Sequence, residues 1–133
     1  AAHIRFGGRL ERPELLALLR TARCLVQPSV CEDPNPLAVI EAAAVGVPCI
    51  GSRAGGIPEA VTDDTGALVP PGDVEALAAA LADTHAHPDR WVARGHAARR
   101  RYEERFSPAA AWASLVDAYG RVGVDAADRR CAG

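Results

Sequence analysis

Apolar residues along this chain recur in short runs set off by Gly and Pro, a pattern that predicts brief strands joined by helices. His3–Phe6 reads as a strand closed by Gly7-Gly8, and Arg23–Gln27 as another closed by Pro28. Between them Pro13 suits a first helical position, with Leu15, Leu16 and Leu19 forming the buried stripe of a helix through Ala22. A second helix starts at Pro36 and ends at Gly46, which can take the left-handed conformation of a C′ residue, and Pro48 then forbids continuation. Cys49–Gly51 is the next strand, Ile57–Val61 a single helical turn, and Ala67–Val69 a last strand before Pro70-Pro71-Gly72.

The C-terminal part is helical. Asp73 caps a helix whose apolar positions Val74, Leu77, Ala78 and Leu81 follow the i, i+3, i+4, i+7 rule. Pro88 opens a helix through about Arg105, and Ser107-Pro108 opens a final one with Trp112, Leu115, Val116 and Tyr119 on its core face. From Val122 onward the tail is small and polar and should fray, so the domain is expected over 1–122 and the tail over 123–133. Strand and helix alternate four times, which predicts an α/β fold with a parallel sheet and helices on its faces. Ligands in such sheets bind beyond the C-terminal strand ends, so the loops after Phe6, Gln27 and Gly51 should share the functional edge.

Composition narrows the class. With 133 residues, 49% hydrophobic content and a net charge of −2, the chain has room for one globular domain with a modest core. No apolar run approaches the roughly 20 residues of a membrane span, and no signal peptide is evident. The absence of Met implies a processed product or a piece of something longer. Cys24, Cys31, Cys49 and Cys131 lack C-x-x-C spacing and read as reduced thiols of a cytoplasmic protein. Peripheral membrane association is left open for a longer parent. The arginines at 90, 94, 99, 100, 101 and 105 are interrupted by Glu103 and Glu104 and read as a solvated face rather than a nucleic-acid surface. His85 and His87, at i,i+2 spacing, do not share a helical face, and no metal site is expected.

Candidate chemistry concentrates around Glu41, the only charged residue between Asp33 and Arg53. A carboxylate in the second turn of an apolar helix needs a partner. Side chains lean toward a helix N-terminus, so Glu41 should point back toward the loop at Asp33 to Asn35. The same terminus offers unpaired N–H groups and a positive dipole end. A carboxylate for hydroxyls beside amides for phosphate suits a nucleotide-sugar. The bland role for Glu41 is capping or an ion pair with Arg53.

The motifs in order are Pro28-Ser29, Glu41-Ala42-Ala43-Ala44-Val45-Gly46-Val47-Pro48, Ser52, Gly55-Gly56-Ile57-Pro58-Glu59 and Thr65-Gly66-Ala67-Leu68-Val69-Pro70-Pro71-Gly72-Asp73. Together they resemble the donor-binding domain of the retaining GT-B glycosyltransferases, family four, also called glycosyl transferases group 1. The resemblance runs from Phe6-Gly7-Gly8 to the helix around Trp112 and Tyr119. It implies a Rossmann-like domain forming part of the C-terminal half of a GT-B enzyme, with no cofactor beyond a UDP-, GDP- or ADP-sugar donor and an acceptor-binding N-terminal domain elsewhere in the parent.

In that family the carboxylate at Glu41 grips the donor ribose. An acidic group eight positions earlier contacts hydroxyls of the transferred sugar. Asp33 has the family's seven intervening residues to Glu41, whereas Glu32 has eight, so either Asp33 fills that position or Glu32 reaches it through a distorted loop. Asn35, Leu37 and Ala38 match the helix start that meets the diphosphate, and Gly8 and Leu10 match the loop bordering the base. The resemblance also implies that basic side chains upstream of this stretch, rather than an essential metal, stabilise the leaving group. Other classes compatible with the motifs are a non-catalytic nucleotide-binding remnant and a GT-B epimerase or phosphorylase. If the strands are wound 3-2-1-4-5-6, His3–Phe6 is strand three and should stand apart from Arg23–Gln27, which is strand four.

Overall fold

Three parallel strands, β1 (Leu25–Gln27), β2 (Cys49–Ser52) and β3 (Gly66–Val69), pair in chain order in a computed structural model that describes residues 3–122. Leu25 lies opposite Cys49, and Cys49 opposite Gly66. Parallel neighbours need crossovers, supplied here by α2 (Leu37–Ala44) and α3 (Ile57–Ala60). The remaining helices are α1 (Arg12–Thr21), α4 (Val74–Ala86), α5 (Pro88–Arg101) and α6 (Pro108–Arg121). The tail at 123–133, with Cys131, lies outside the described residues.

β2 is central and buried along its whole length. Because successive side chains on a strand point to opposite faces, Cys49 and Ile50 seed two separate clusters. Cys49 packs with Val39, Ile57 and Val61 beneath α2 and α3, and Phe106 leans on the same group. Ile50 packs with Val69 and Trp91, against Ala76, Leu77 and Ala80 of α4. Leu19 of α1 joins Ala42 and Val47, which seats α1 on α2. Burial pushes the Cys49 thiol up to about 12, so at neutral pH it is an inert core residue.

Local signals set most boundaries. Gly46 takes φ +78°, the left-handed conformation expected of it. The Asp73 carboxylate accepts from the Ala76 N–H at 2.9 Å, and the Ser107 hydroxyl accepts from the Ala110 N–H at 3.2 Å. Glu14 accepts from the Glu11 N–H at 2.9 Å and closes the first turn of α1. Helix α5 passes the start of β2, and a Cβ on Gly95 would stand 2.3 Å from the Gly46 carbonyl oxygen. Only glycine permits that approach.

Four expectations are corrected. His3–Phe6 is not a strand: residues 4–10 are irregular, and Ile4 and Phe6 are 70% and 94% exposed. A strand is held by its neighbour's backbone groups, and in the described sheet β1 pairs only with β2, leaving this segment unpaired. The buried face of α4 is Ala76, Leu77, Ala80 and Thr84, not Val74 and Leu81, because small alanines allow close approach to the sheet. The α5 helix does not continue regularly to Arg105 but widens into a π-helical turn, Tyr102–Phe106. Finally, α6 buries no residue, and Trp112, Leu115, Val116 and Tyr119 are 40–56% exposed, because the helix packs chiefly on that turn.

Candidate functional site

The loop leaving β1 is shaped by its own polar groups. Gln27 donates its side-chain N–H to the Ser29 hydroxyl at 2.8 Å where the strand ends. Four residues on, Asp33 Oδ1 accepts from the Asn35 N–H at 3.0 Å, an Asx turn that leads the chain into Pro36 and α2. Pro36 is buried, and its carbonyl accepts from the amides of Val39 and Ile40. No side chain caps the helix. Leu37 and Ala38, both exposed, therefore open the first turn with amides that no side chain covers.

The loop leaving β2 holds this acidic loop in place. Gly55 donates its N–H to Glu32 Oε2 at 2.7 Å, and Gly56 donates to the Asp33 carbonyl at 2.8 Å. Gly55 has φ +52°, and a Cβ there would lie 2.3 Å from the Asp33 carbonyl oxygen. On Gly56 a Cβ would lie 2.4 Å from the Pro34 carbonyl oxygen. The two glycines thus bring the C-terminal ends of β1 and β2 into one surface. The sequence marks these glycines only as part of a motif, and nothing in it shows their role as donors of two amides.

Glu41 sits one turn into α2, about a quarter exposed, with Oε1 3.7 Å from Arg12 Nη2 at the start of α1. Its ion-pair partner is Arg12, not the Arg53 of the bland alternative. Most of Arg12 is exposed, so the pair is weak and leaves Glu41 open to compete for hydroxyls. Gly8, with φ +66°, and half-buried Leu10 lie in the irregular segment that delivers Arg12. The structure therefore gathers Glu32, Asp33, Asn35, Leu37, Ala38 and Glu41 at the C-terminal sheet edge. Gly8 and Leu10 precede Arg12, whose side chain reaches that group at Glu41.

The arginines of α5 are largely committed to structure. Asp83, on α4, accepts from Arg90, from the Trp91 ring N–H at 2.9 Å and from His87 at 2.8 Å. Arg90 and Trp91 foremost hold the Asp83 carboxyl well below the usual carboxylate range. Arg94 stacks 4.8 Å from the Trp91 ring centroid, and Arg101 donates to the Glu59 carbonyl at 2.6 Å. The cleft of about 530 Å³ that these arginines border also carries Asp63, Asp64 and Glu104, so it is no uniformly basic surface. Among the described residues no group of three or more His, Cys, Asp or Glu side chains converges as a metal site. Among those residues, no helix is long and apolar enough to cross a membrane.

The chain is similar to known proteins. The family described as glycosyl transferases group 1 matches residues 1–87. Glycogen synthase from Mycobacterium tuberculosis is 40% identical over 119 residues, 89% of this chain and 28% of that protein. A GDP-mannose-dependent monoacylated alpha-(1-6)-phosphatidylinositol monomannoside mannosyltransferase from Corynebacterium glutamicum is 34% identical over 111 residues, 79% of this chain and 29% of that protein. Among solved structures, sucrose-phosphate synthase from Thermosynechococcus elongatus superposes with a TM-score of 0.83 at 32% identity, over 92% of this chain and 31% of that one. Anabaena HepE in complex with UDP superposes with a TM-score of 0.75 at 20% identity, over 85% and 30%, a likeness of fold alone. The chain spans under a third of the length of the curated relatives it matches.

Proposed function

The chain belongs to the glycosyl transferases group 1 family, and from that premise we propose that it is the donor-binding part of a retaining GT-B glycosyltransferase. The parent would move a sugar from a UDP-, GDP- or ADP-sugar to a hydroxyl acceptor held by its N-terminal domain. The supporting observation is the single sheet edge on which Asp33 and Glu41 flank the uncapped start of α2.

Each part of that edge has a matching task. An ionised Glu41 accepts two hydroxyl hydrogen bonds, which suits a ribose diol. The amides of Leu37 and Ala38, at the positive end of α2, suit a diphosphate, and Pro36 costs nothing there because the first-turn N–H groups have no intrahelical partner. The carboxylate of the acidic loop then lies on the transferred sugar, either as a hydroxyl ligand or as a stabiliser of positive charge at the anomeric carbon. Bond cleavage leaves negative charge on the diphosphate, which the dipole of α2 and basic side chains of the parent would stabilise. Asn35 borders the same phosphates, and Gly8 and Leu10 would line the base.

This assignment needs the rest of the parent for turnover. The test is a transfer assay with UDP-glucose, GDP-mannose and ADP-glucose on the full-length parent and on these 133 residues alone. Transfer by the parent with none by the isolated chain is expected. A parent that binds nucleotide but transfers nothing would point to a non-catalytic binding protein.

A further inference from the structure

The residues that lead into β1 and β2, at the edge of the sheet opposite the proposed donor site, border a second groove with two lobes that share Gly46 and His96. We propose that this groove binds a phosphate monoester, with the phosphate in one lobe and the group that carries it in the other. The proposal does not rest on the donor-site reading, because none of the residues assigned to the donor lines either lobe.

The first lobe, of about 400 Å³, is lined by three bases, Arg20, His96 and Arg99, and among the described residues no carboxylate lines it. Arg99 is held from behind. Its Nε donates to Glu103 Oε1 at 2.8 Å, its Nη1 donates to the Ala44 carbonyl at the end of α2, and its guanidinium lies 5.5 Å from the Tyr102 ring centroid. Those bonds leave Nη2 unused. Arg20 and His96 have no hydrogen-bond or ion-pair partner among the described residues. Arg20 ends α1, where the helix dipole favours a cation, but the dipole does not require that it share a cavity with two more bases. Cations gathered without a counter-charge repel one another, and a bound dianion relieves that repulsion. Three donor side chains suit a group with three terminal oxygens, two of which a guanidinium can meet at once.

The second lobe, of about 380 Å³, has the opposite chemistry. Ala22, Pro48, Pro88 and Val92 line it together with buried Trp91, and Val92 is 61% exposed. Arg23 also lines it, but its Nη1 donates to the Thr84 carbonyl at 3.3 Å, which commits that end of the side chain to α4. Gly46, at φ +78°, stands between the lobes and puts no side chain across them. The fitting occupant has a phosphate at one end and an apolar face at the other, and inorganic phosphate would use only half of the groove.

Isothermal titration of the full-length parent with inorganic phosphate and with phenyl phosphate tests this. Phenyl phosphate should bind about tenfold more tightly, from the apolar area it covers in the second lobe. Arg20→Gln should weaken both ligands about fivefold or more, the loss of a charge-assisted contact, and His96→Gln should weaken both in the same direction. Val92→Ser should erase most of the preference for phenyl phosphate and leave inorganic phosphate unchanged. All three side chains are exposed, so the variants should melt close to wild type. Cosedimentation with phosphatidic acid vesicles, against phosphatidylcholine vesicles, separates the two sources of such a phosphate. Pelleting that Arg20→Gln abolishes assigns it to a lipid headgroup, and soluble binding without pelleting assigns it to a free metabolite. Binding of any of these probes that is indifferent to Arg20→Gln would overturn the proposal, including phosphate that UDP displaces from the donor edge. So would the failure of both soluble ligands and the vesicles to bind, or phenyl phosphate binding no more tightly than inorganic phosphate.

Discussion

The indole N–H of Trp91, on α5, donates to Asp83 Oδ2, on α4, at 2.9 Å, in a cluster that also recruits Arg90, His87 and Arg94. Trp91 is 1% exposed and packs on Ile50 and Val69 of the sheet. The carboxylate therefore satisfies a buried donor and ties both helices of this face to the core.

Asp83→Asn should lower the melting temperature and flatten its dependence on acid. The Asp83 carboxyl titrates below its ordinary value in the folded protein, chiefly through Arg90 and then Trp91. The unfolded chain, titrating at about 3.9, consequently binds more protons as the pH falls. The stabilisation is complete above that value and drains away below it. Thermal melts from pH 7 down to pH 3 check this: wild type should lose stability more steeply than Asp83→Asn, and parallel curves would contradict it.

Gly95→Ala should destabilise the domain by about 1–3 kcal/mol, the range for overpacking a rigid contact. The new methyl would meet the Gly46 carbonyl at 2.3 Å and Pro48 Cδ at 3.3 Å, and neither is a flexible side-chain end. Chemical denaturation of the parent measures the cost. An unchanged midpoint would show that α5 can shift away from β2 at little cost.

Transfer by the parent should persist in excess chelator. The proposed donor edge is built of amides and three carboxylates, Glu41 on α2 and Glu32 and Asp33 on the β1 loop, and Asp63 and Asp64 are exposed in a turn that precedes β3. Loss of turnover in chelator with recovery on adding Mn²⁺ or Mg²⁺ would contradict this expectation.

What the sequence made legible was whatever local chemistry decides. Gly46 and Pro48 ended α2, and Asp73 and Ser107 capped their helices. Properties set by distant partners were less visible. His3–Phe6 has strand-like residues, yet no strand among the described residues pairs with it. In α4 the alanine stripe and the leucine stripe have the same period, so hydrophobicity favoured Leu81 where packing favoured Ala80. The Asp83–Trp91 bond spans a helix break at Pro88, and the Arg12–Glu41 pair joins two helices, so neither follows a spacing rule. Nothing in the neighbours of Gly55 announced Glu32 as the acceptor of its amide.

Donor kinetics of Glu41→Gln in the full-length parent test whether the start of α2 with Glu41 holds the donor nucleotide. Glu41 is partly exposed and only weakly paired with Arg12, so the isosteric change should leave the melting temperature near that of wild type. Donor kcat/KM should fall by about 1–3 kcal/mol in transition-state terms, the cost of unpairing a charge-assisted hydrogen bond. Unchanged donor kinetics in a well-folded Glu41→Gln parent would contradict a donor-binding role for Glu41.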